Sequence, residues 1–230
     1  MITLDDLKSN RDTQITVVCI VFFLIAFPGY FAMKGGDASG SGAMGGVANY
    51  NVNGELTYVQ IADGIEYIAD GETLMIDNLH TDAVDDAEDM NIVGVRVMMS
   101  YGEDETSNNC VGGNSADTIT GSATHGEFTG SADGQNNGGN GAHDVTVEWF
   151  NSSMVGATVS GLSESEIISQ IDSMGAGLGA YSADIGVTAQ ADSCTLVGGE
   201  NEDNGEEVTY TVELIIFEYT ITPSIDESEM

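Results

Sequence analysis

The chain has 230 residues, and its 4 Lys and Arg against 38 Asp and Glu give a formal net charge of −34. Nucleic acids and acidic membrane surfaces attract proteins whose Lys and Arg replace condensed counterions, so this composition excludes nucleic-acid binding. Hydrophobic residues make up 41% of the chain, with 8 Tyr, 7 Phe and 1 Trp among them. That apolar content is sufficient for a folded domain, and the charge alone does not imply disorder.

An uncharged apolar segment at residues 15–33 predicts a single transmembrane helix. Its length as a helix would be about 28 Å, close to the roughly 30 Å hydrocarbon core of a bilayer. Three of the four basic residues flank it, with Lys8 and Arg11 before it and Lys34 after it. The positive-inside rule then places residues 1–14 in the cytoplasm and the rest of the chain outside. We therefore predict a single-pass cell-membrane protein that contacts the lipid bilayer through residues 15–33.

Two other interpretations of this segment are open. A cleaved signal peptide would have a shorter apolar region followed by a small-x-small site, and the nearest such triplet lies at residues 41–43. A buried core helix would need other helices around it, which the sequence does not offer. Pro28 and Gly29 predict a kink or an end to the helix near the outer face.

The composition changes twice after the apolar segment. Residues 34–46 are rich in Gly and Ser, which predicts a flexible linker. Residues 47–222 form an acidic region of alternating polar and apolar residues, which predicts a β-sandwich ectodomain, and residues 223–230 form an acidic tail. The clearest strands are 92–101, 145–149, 181–189 and 208–221; weaker ones are 55–61, 65–69, 72–76, 118–120 and 126–129. This number of strands predicts a mainly β, two-sheet, jelly-roll-like sandwich.

The apolar phase slips within the last strand. Val208 to Ile216 alternate on one face, but Ile215, Phe217, Tyr219 and Ile221 continue the apolar pattern on the other. The slip predicts a bulge or a crossing between the two sheets near residues 214–217.

One short helix is predicted within the sandwich. Ser163 and Glu166 have the spacing of a capping box, and Ile167, Ile171 and Met174 recur at helical spacing. Gly175 is expected to stop the helix in a left-handed conformation.

Three cysteines occur, and Cys19 lies in the apolar segment. Cys110 and Cys194 would both lie outside the cell, where a pair of cysteines favours a disulfide. Closing a loop of about 85 residues would contribute roughly 4–5 kcal/mol in the chain-entropy model. The alternative is two unrelated buried thiols.

Two acidic runs are candidates for a calcium site. Calcium prefers carboxylate and carbonyl oxygens, and ligands gathered from two loops would suit it. An EF-hand is excluded because the twelfth position of the second run is Thr211 instead of Glu. The alternative is a solvated acidic surface in salty surroundings, where screening weakens self-repulsion. The candidate ligands are Asp82, Asp85, Asp86, Glu88 and Asp89 in the first run and Glu200, Glu202 and Asn204 in the second.

Catalytic motifs are missing from the sequence. His80, His125 and His143 have no metal-ligand spacing, and no G-x-S-x-G, H-E-x-x-H or P-loop sequence occurs. We therefore predict that the protein is not an enzyme. Asn151 begins an Asn-Ser-Ser sequon after a predicted strand, which predicts N-glycosylation on an exported loop.

The order of segments resembles a known family at this point. One span and a Gly/Ser linker precede strands at 92–101, 145–150 and 179–192 and a terminal strand. This order is similar to membrane-anchored jelly-roll domains of archaeal envelope proteins, related in style to P-domain and CUB-type sandwiches. The resemblance covers roughly residues 50–222 and implies a non-catalytic extracellular module that binds proteins or sugars, often with calcium.

Two functions are compatible with these features. The first is an outward-facing, membrane-anchored sandwich with a structural role in the envelope, or one that binds envelope proteins or glycans. The second is a filament subunit resembling archaeal pilins and archaellins, with a short leader cleaved near Asp12. The sequence before the apolar run lacks the small residue typical of such leaders, and Pro28 would break a packing helix.

Overall fold

The computed structural model describes residues 48–102, 115–136, 139–190 and 203–224. The predicted span at 15–33, the linker at 34–46, Cys110, Cys194, Glu200 and Glu202 lie outside these ranges. Within them, no helix has both the length and the apolar character needed to cross a bilayer. The described residues form nine strands and one α-helix: β1 (Ala48–Ala69), β2 (Thr73–His80), β3 (Ile92–Tyr101), β4 (Thr118–His125), β5 (Phe128–Gln135), β6 (Gly141–Glu148), β7 (Thr158–Leu162), α1 (Glu164–Ile171), β8 (Ala180–Thr188) and β9 (Gly205–Pro223).

The strands pair into two antiparallel sheets. The five-stranded sheet has the order β6-β3-β9-β1-β7, and the four-stranded sheet has the order β2-β8-β4-β5. The prediction of a mainly β, two-sheet sandwich with one short helix is confirmed. The two weak segments predicted at 55–61 and 65–69 are parts of the single long strand β1. The segment predicted at 126–129 includes a tight turn instead, because Gly126 adopts a positive φ of 58° between β4 and β5.

The main hydrophobic core lies between the two sheets. Alternate residues of β3, β4, β8 and β9 point inward, as period-2 patterning predicts. Apolar burial of this kind stabilises the fold by about 25 cal/mol per Å². The most deeply buried members include Val97, Ile119, Ile185, Val208 and Leu214, each at most 1% exposed.

A second, smaller core lies on the other side of the five-stranded sheet. Ile215 and Phe217 of β9 point there and pack against Ile167 and Ile171 of α1. Their neighbours Leu214 and Ile216 point into the main core. Residues 214–217 of β9 are therefore apolar on both faces, because one face packs in the main core and the other in the second core.

The phase slip predicted in β9 has a different origin from the one expected. β9 stays paired with β1 from Tyr50↔Pro223 to Ala69↔Gly205, so a crossing between sheets is wrong. The register shifts lie instead between Gln60 and Ala62 of β1 and between Ile92 and Gly94 of β3. The neighbouring strands hold the extra residues, and Val93 joins the second core as a result.

Helix α1 begins as predicted and ends earlier. Ser163 and Glu166 form the capping box, with the Ser163 N–H donating to Glu166 Oε2 at 2.7 Å. The helix ends at Ile171, so the predicted stop at Gly175 is wrong, and Met174 is 71% exposed. The Asn91 side chain hydrogen-bonds the backbone where the helix ends. Its Nδ2 donates to Ile171 O at 3.0 Å, and its Oδ1 accepts from Ser173 N at 2.8 Å.

Candidate functional site

The first predicted group of calcium ligands lies in the connection between β2 and β3. Two 3₁₀ turns, Thr81–Ala83 and Ala87–Asp89, shape this connection. Their short acidic side chains point to solvent, as expected for a hydrated surface. The exposed members are Asp82, Asp85, Asp86, Glu88 and Asp89.

The second predicted group is represented among the described residues by Asn204 alone. Asn204 is exposed, and its backbone O accepts from Asp70 N at 2.9 Å, just before β2 begins. The acidic connection follows the other end of β2, whose eight residues extend about 26 Å at 3.3 Å each. The structure therefore does not bring Asn204 together with Asp82–Asp89. In the described ranges, no group of three or more His, Cys, Asp or Glu is arranged to hold a metal ion.

Asn151, the predicted glycosylation site, is half-buried beside α1. Its Nδ2 donates to Gln170 Oε1 at 3.0 Å, and its Oδ1 accepts from Ser153 Oγ at 2.6 Å. A glycan on Nδ2 would replace one of its two hydrogens, and the other could still donate to Gln170 Oε1. Glycosylation of Asn151 stays a prediction.

A buried carboxyl cluster, defined by Asp117, Asn136, Asp203 and Glu206, closes one end of the sandwich. Asp117 and Glu206 are fully buried, and Asn136 is 3% exposed. Asn136 Nδ2 donates to Asp117 Oδ2 at 2.9 Å and to Glu206 Oε1 at 3.3 Å. Asp117 Oδ1 also accepts from the backbone N of Gln190 at 2.6 Å. An amide donor therefore occupies the position between two carboxyl groups, and the cluster joins β4, β5, β8 and β9.

The pKa values of the two aspartates of the cluster are shifted in opposite directions. Burial raises the pKa of Asp203 to about 6, and its hydrogen bond with Asp117 adds to that effect. Burial also opposes ionisation of Asp117, but hydrogen bonds from Glu206 and from the Gln190 backbone outweigh it and lower the pKa of Asp117. Below about pH 6 Asp203 is therefore protonated while Asp117 is ionised, the usual result when two carboxyl groups share a site.

The three histidines have different hydrogen-bond partners, and none of these hydrogen bonds joins one histidine to another. His80 is exposed and lies 3.2 Å from Asp82 through Nδ1. His143 Nδ1 lies 3.1 Å from the Tyr101 hydroxyl, whose pKa is raised by burial. His125 is buried, and its ring nitrogens lie 2.9 Å from Ala180 O and 2.7 Å from Ala176 O. None of these contacts pairs a histidine with a nucleophilic Ser or Cys.

The outer side of the five-stranded sheet has a half that the described residues leave uncovered, which we call the open face. Register places three of its outward positions side by side on β3, β9 and β1, with Glu213 opposite both Arg96 and Gln60. Further along β1, Ile65 is 62% and Tyr67 54% exposed, and Tyr58 is 43% exposed. The open face is defined by Tyr58, Asp63, Ile65, Tyr67, Arg96, Met98, Glu207 and Glu213. It combines exposed apolar side chains with a carboxylate border.

The carboxyl cluster was not predicted from the sequence, although a signal was present. Asp117 stands two residues before the inward-facing Ile119, and Glu206 stands two residues before the inward-facing Val208. Continuing the strand alternation by one step would have placed both carboxyl groups inside.

Comparison with known proteins gives no family. No family model matches the chain, and no curated protein matches it. A solved cryo-EM structure of Mud crab tombus-like virus is 11% identical and covers 84% of this chain and 90% of its own. Its TM-score of 0.22 is too low to support a common fold.

Proposed function

We propose that the protein is a single-pass, membrane-anchored β-sandwich that acts outside the cell without catalysis, by binding an envelope protein. The apolar segment at 15–33 supplies the anchor, the Gly/Ser linker supplies reach, and the jelly-roll-like sandwich supplies the contact surface. The observation that carries the binding role is the open face, where Ile65 and Tyr67 are more than half exposed. Exposed apolar side chains grouped on one sheet face are typical of a protein contact.

The chemistry of the open face selects the kind of partner. Its border is acidic, with Asp63 and Glu207 directly beside the exposed residues of β1, and its one cation, Arg96, is already paired with Glu213. A partner surface with Lys or Arg around an apolar centre would complement it, whereas a second copy of this acidic chain would be repelled.

The binding role is tested with the full chain in its native membrane. The Ile65→Ser/Tyr67→Ser double variant should reduce, by about tenfold, the fraction of the chain that is cross-linked into a larger complex. Met75→Ser is the matched control, because Met75 is 69% exposed but lies on β2 of the other sheet. Equal cross-linking of both variants and wild type would refute the open face as the contact. Loss of the complex on enzymatic removal of envelope glycans would assign a glycan instead of a protein.

The anchor is tested separately by the intact mass of the protein isolated from its native membrane. An unprocessed N-terminus supports the anchor. Loss of about 12 residues would favour the pilin- or archaellin-like filament subunit, and loss of about 43 would indicate a secreted protein. The same spectrum with and without reductant reports whether Cys110 and Cys194 are joined.

The calcium hypothesis has its own measurement. Thermal unfolding of the full chain in a calcium series should be compared with a sodium chloride series of matched ionic strength. A shift in Tm with calcium beyond the sodium control would support specific binding, and identical shifts would reject it.

A further inference from the structure

His125 makes two hydrogen bonds that a neutral imidazole cannot make together. It lies at the end of β4 and is 6% exposed. Its Nδ1 is 2.9 Å from Ala180 O, and its Nε2 is 2.7 Å from Ala176 O. A carbonyl oxygen only accepts, and a neutral ring carries one N–H, so both contacts are satisfied together only when both nitrogens are protonated.

The rings around His125 are arranged to receive a cation. The Tyr181 ring stacks on it with centroids 4.1 Å apart and an interplanar angle of 15°, and the Trp149 ring lies 5.1 Å away. The π faces of Tyr and Trp attract a cation within about 6 Å, most strongly where water is excluded. Two carbonyl oxygens at hydrogen-bond distance and a stacked aromatic ring together replace the hydration of an imidazolium.

Within the part of the chain that the structure describes, no Lys or Arg packs against His125. The segment at 175–180 carries no titratable side chain. The Tyr181 hydroxyl donates to Gly177 O, and burial raises the pKa of that hydroxyl, so it stays neutral. Glu127 is exposed in the adjoining β4–β5 turn. On the far side of Gly179, His80, Asp82 and Glu88 line a surface cavity, and two of these three are carboxylates.

We propose that His125 is an imidazolium that clamps the segment at 175–180, and that loss of one of its protons to water releases that clamp. The neutral ring would keep one N–H···O=C bond. Its other nitrogen would then present a lone pair to a carbonyl oxygen, which is repulsive at the observed distances. The device is a proton-dependent latch on the turn that leads into β8.

The latch has a structural target. Thr81 N donates to Gly179 O at 3.1 Å, and Gly179 N donates to Thr81 Oγ1 at 3.0 Å, so the clamped turn also holds the start of the β2–β3 connection. Leu178 and Gly179 form part of the wall of the cavity, which has a volume of about 440 Å³. Release of the turn would therefore widen this cavity as pH rises.

The test uses the full chain, labelled with ¹⁵N at its three histidines. In the clamped state both ring nitrogens of His125 should give protonated shifts. As His125 loses its proton, the protection factors of the Ala176, Leu178 and Gly179 amides should fall by about tenfold. Protection factors, rather than raw exchange rates, remove the intrinsic effect of pH on exchange.

Two variants complete the test. His125→Gln should make protection at these three amides low and independent of pH, and His80→Gln, at an exposed histidine, should leave the wild-type response intact. A neutral His125 ring across the whole range in which the chain is folded would overturn the proposal. So would an unchanged pH response of the three amides in His125→Gln. If His125→Gln does not fold, the ring shifts and amide protection of the wild-type chain decide alone.

Discussion

Arg96 and Glu213 form an ion pair across β3 and β9, with Arg96 Nη2 2.6 Å from Glu213 Oε2. The Arg96 guanidinium also lies 3.9 Å from the centre of the Tyr58 ring. Among the described residues Arg96 is the one Lys or Arg, so it offsets a carboxylate at a site where three strands meet. The ion pair therefore adds an electrostatic contact to the backbone hydrogen bonds that join β3 and β9.

A double-mutant cycle measures this pair. Arg96→Met leaves Glu213 as an unpaired, partly buried carboxylate and should lower the free energy of unfolding by about 1–3 kcal/mol. Glu213→Gln should cost less, because a neutral amide remains. The coupling energy should be about 1–2 kcal/mol at low salt and should shrink in 1 M salt. Chemical denaturation of the four chains gives these values, and a coupling near zero at low salt would contradict the prediction.

The carboxyl cluster predicts an unusual dependence of stability on pH. Because the pKa of Asp203 is raised to about 6 in the folded protein, its protonated form stabilises the fold below about pH 4. This contribution should be lost as pH rises through about 6, amounting to about 1–3 kcal/mol. The lowered pKa of Asp117 acts in the other direction and stabilises the fold above its ordinary range.

Asp203→Asn isolates that contribution. It replaces the protonated carboxyl by a neutral amide, so the decline in unfolding free energy between about pH 4 and pH 7 should flatten. Asp77→Asn, at an exposed position on β2, is the control and should keep the wild-type slope. An identical slope in Asp203→Asn and wild type would show that the cluster does not retain its proton.

Gly205 begins β9 in a conformation that a side chain cannot share. Its φ is +137°, and an added Cβ would lie 2.1 Å from the backbone O of Ile68. Gly205→Ala should therefore lower the free energy of unfolding by about 3 kcal/mol or more, since backbone has to move. Gly71→Ala also changes a glycine with positive φ, at +73°, but meets nothing within 4 Å. It should cost only about 1 kcal/mol, and equal costs in thermal unfolding would contradict the steric argument.

Asn91 satisfies three backbone groups with one amide. Besides its bonds to Ile171 and Ser173, its Nδ2 lies 3.2 Å from Phe217 O. Asn91→Ala should lower the free energy of unfolding by about 2–4 kcal/mol, because it leaves partly buried polar groups without partners. Asn53→Ala is the control, since its amide makes one long, exposed bond of 3.4 Å to Thr222. Equal Tm values for the two variants would contradict this role of Asn91 at the end of α1.

Period-2 alternation was sufficient to predict the sandwich because most inward positions of β3, β4, β8 and β9 are apolar. It divided β1 in two, since the extra residue at the β1 bulge breaks the alternation within one continuous strand. It also placed an irregularity in β9, although the extra residues belong to β1 and β3. A strand covered on both faces shows no alternation, and one sequence does not reveal which neighbour is bulged.

The sites were less predictable than the fold. Asp117, Asn136 and Glu206 are separated in the sequence; antiparallel pairing of β4 with β5 brings the first two together, and Glu206 comes from β9 of the other sheet. The two bonds of His125 go to backbone carbonyls, which have no signature in residue types. The composition of the acidic run at 82–89 predicted calcium ligands, but its carboxylates point to solvent. Charge density in a sequence identifies a hydrated surface more readily than a site.

The pairing of β1 with β9 has a consequence for how the chain acquires its structure. β9 is the central strand of its sheet, and it joins β3 and β1, which come more than one hundred residues earlier. Contacts so distant in sequence slow folding, commonly to milliseconds or seconds. During synthesis, the first half of the sandwich would therefore remain an incomplete sheet until residues near Pro223 become available for pairing.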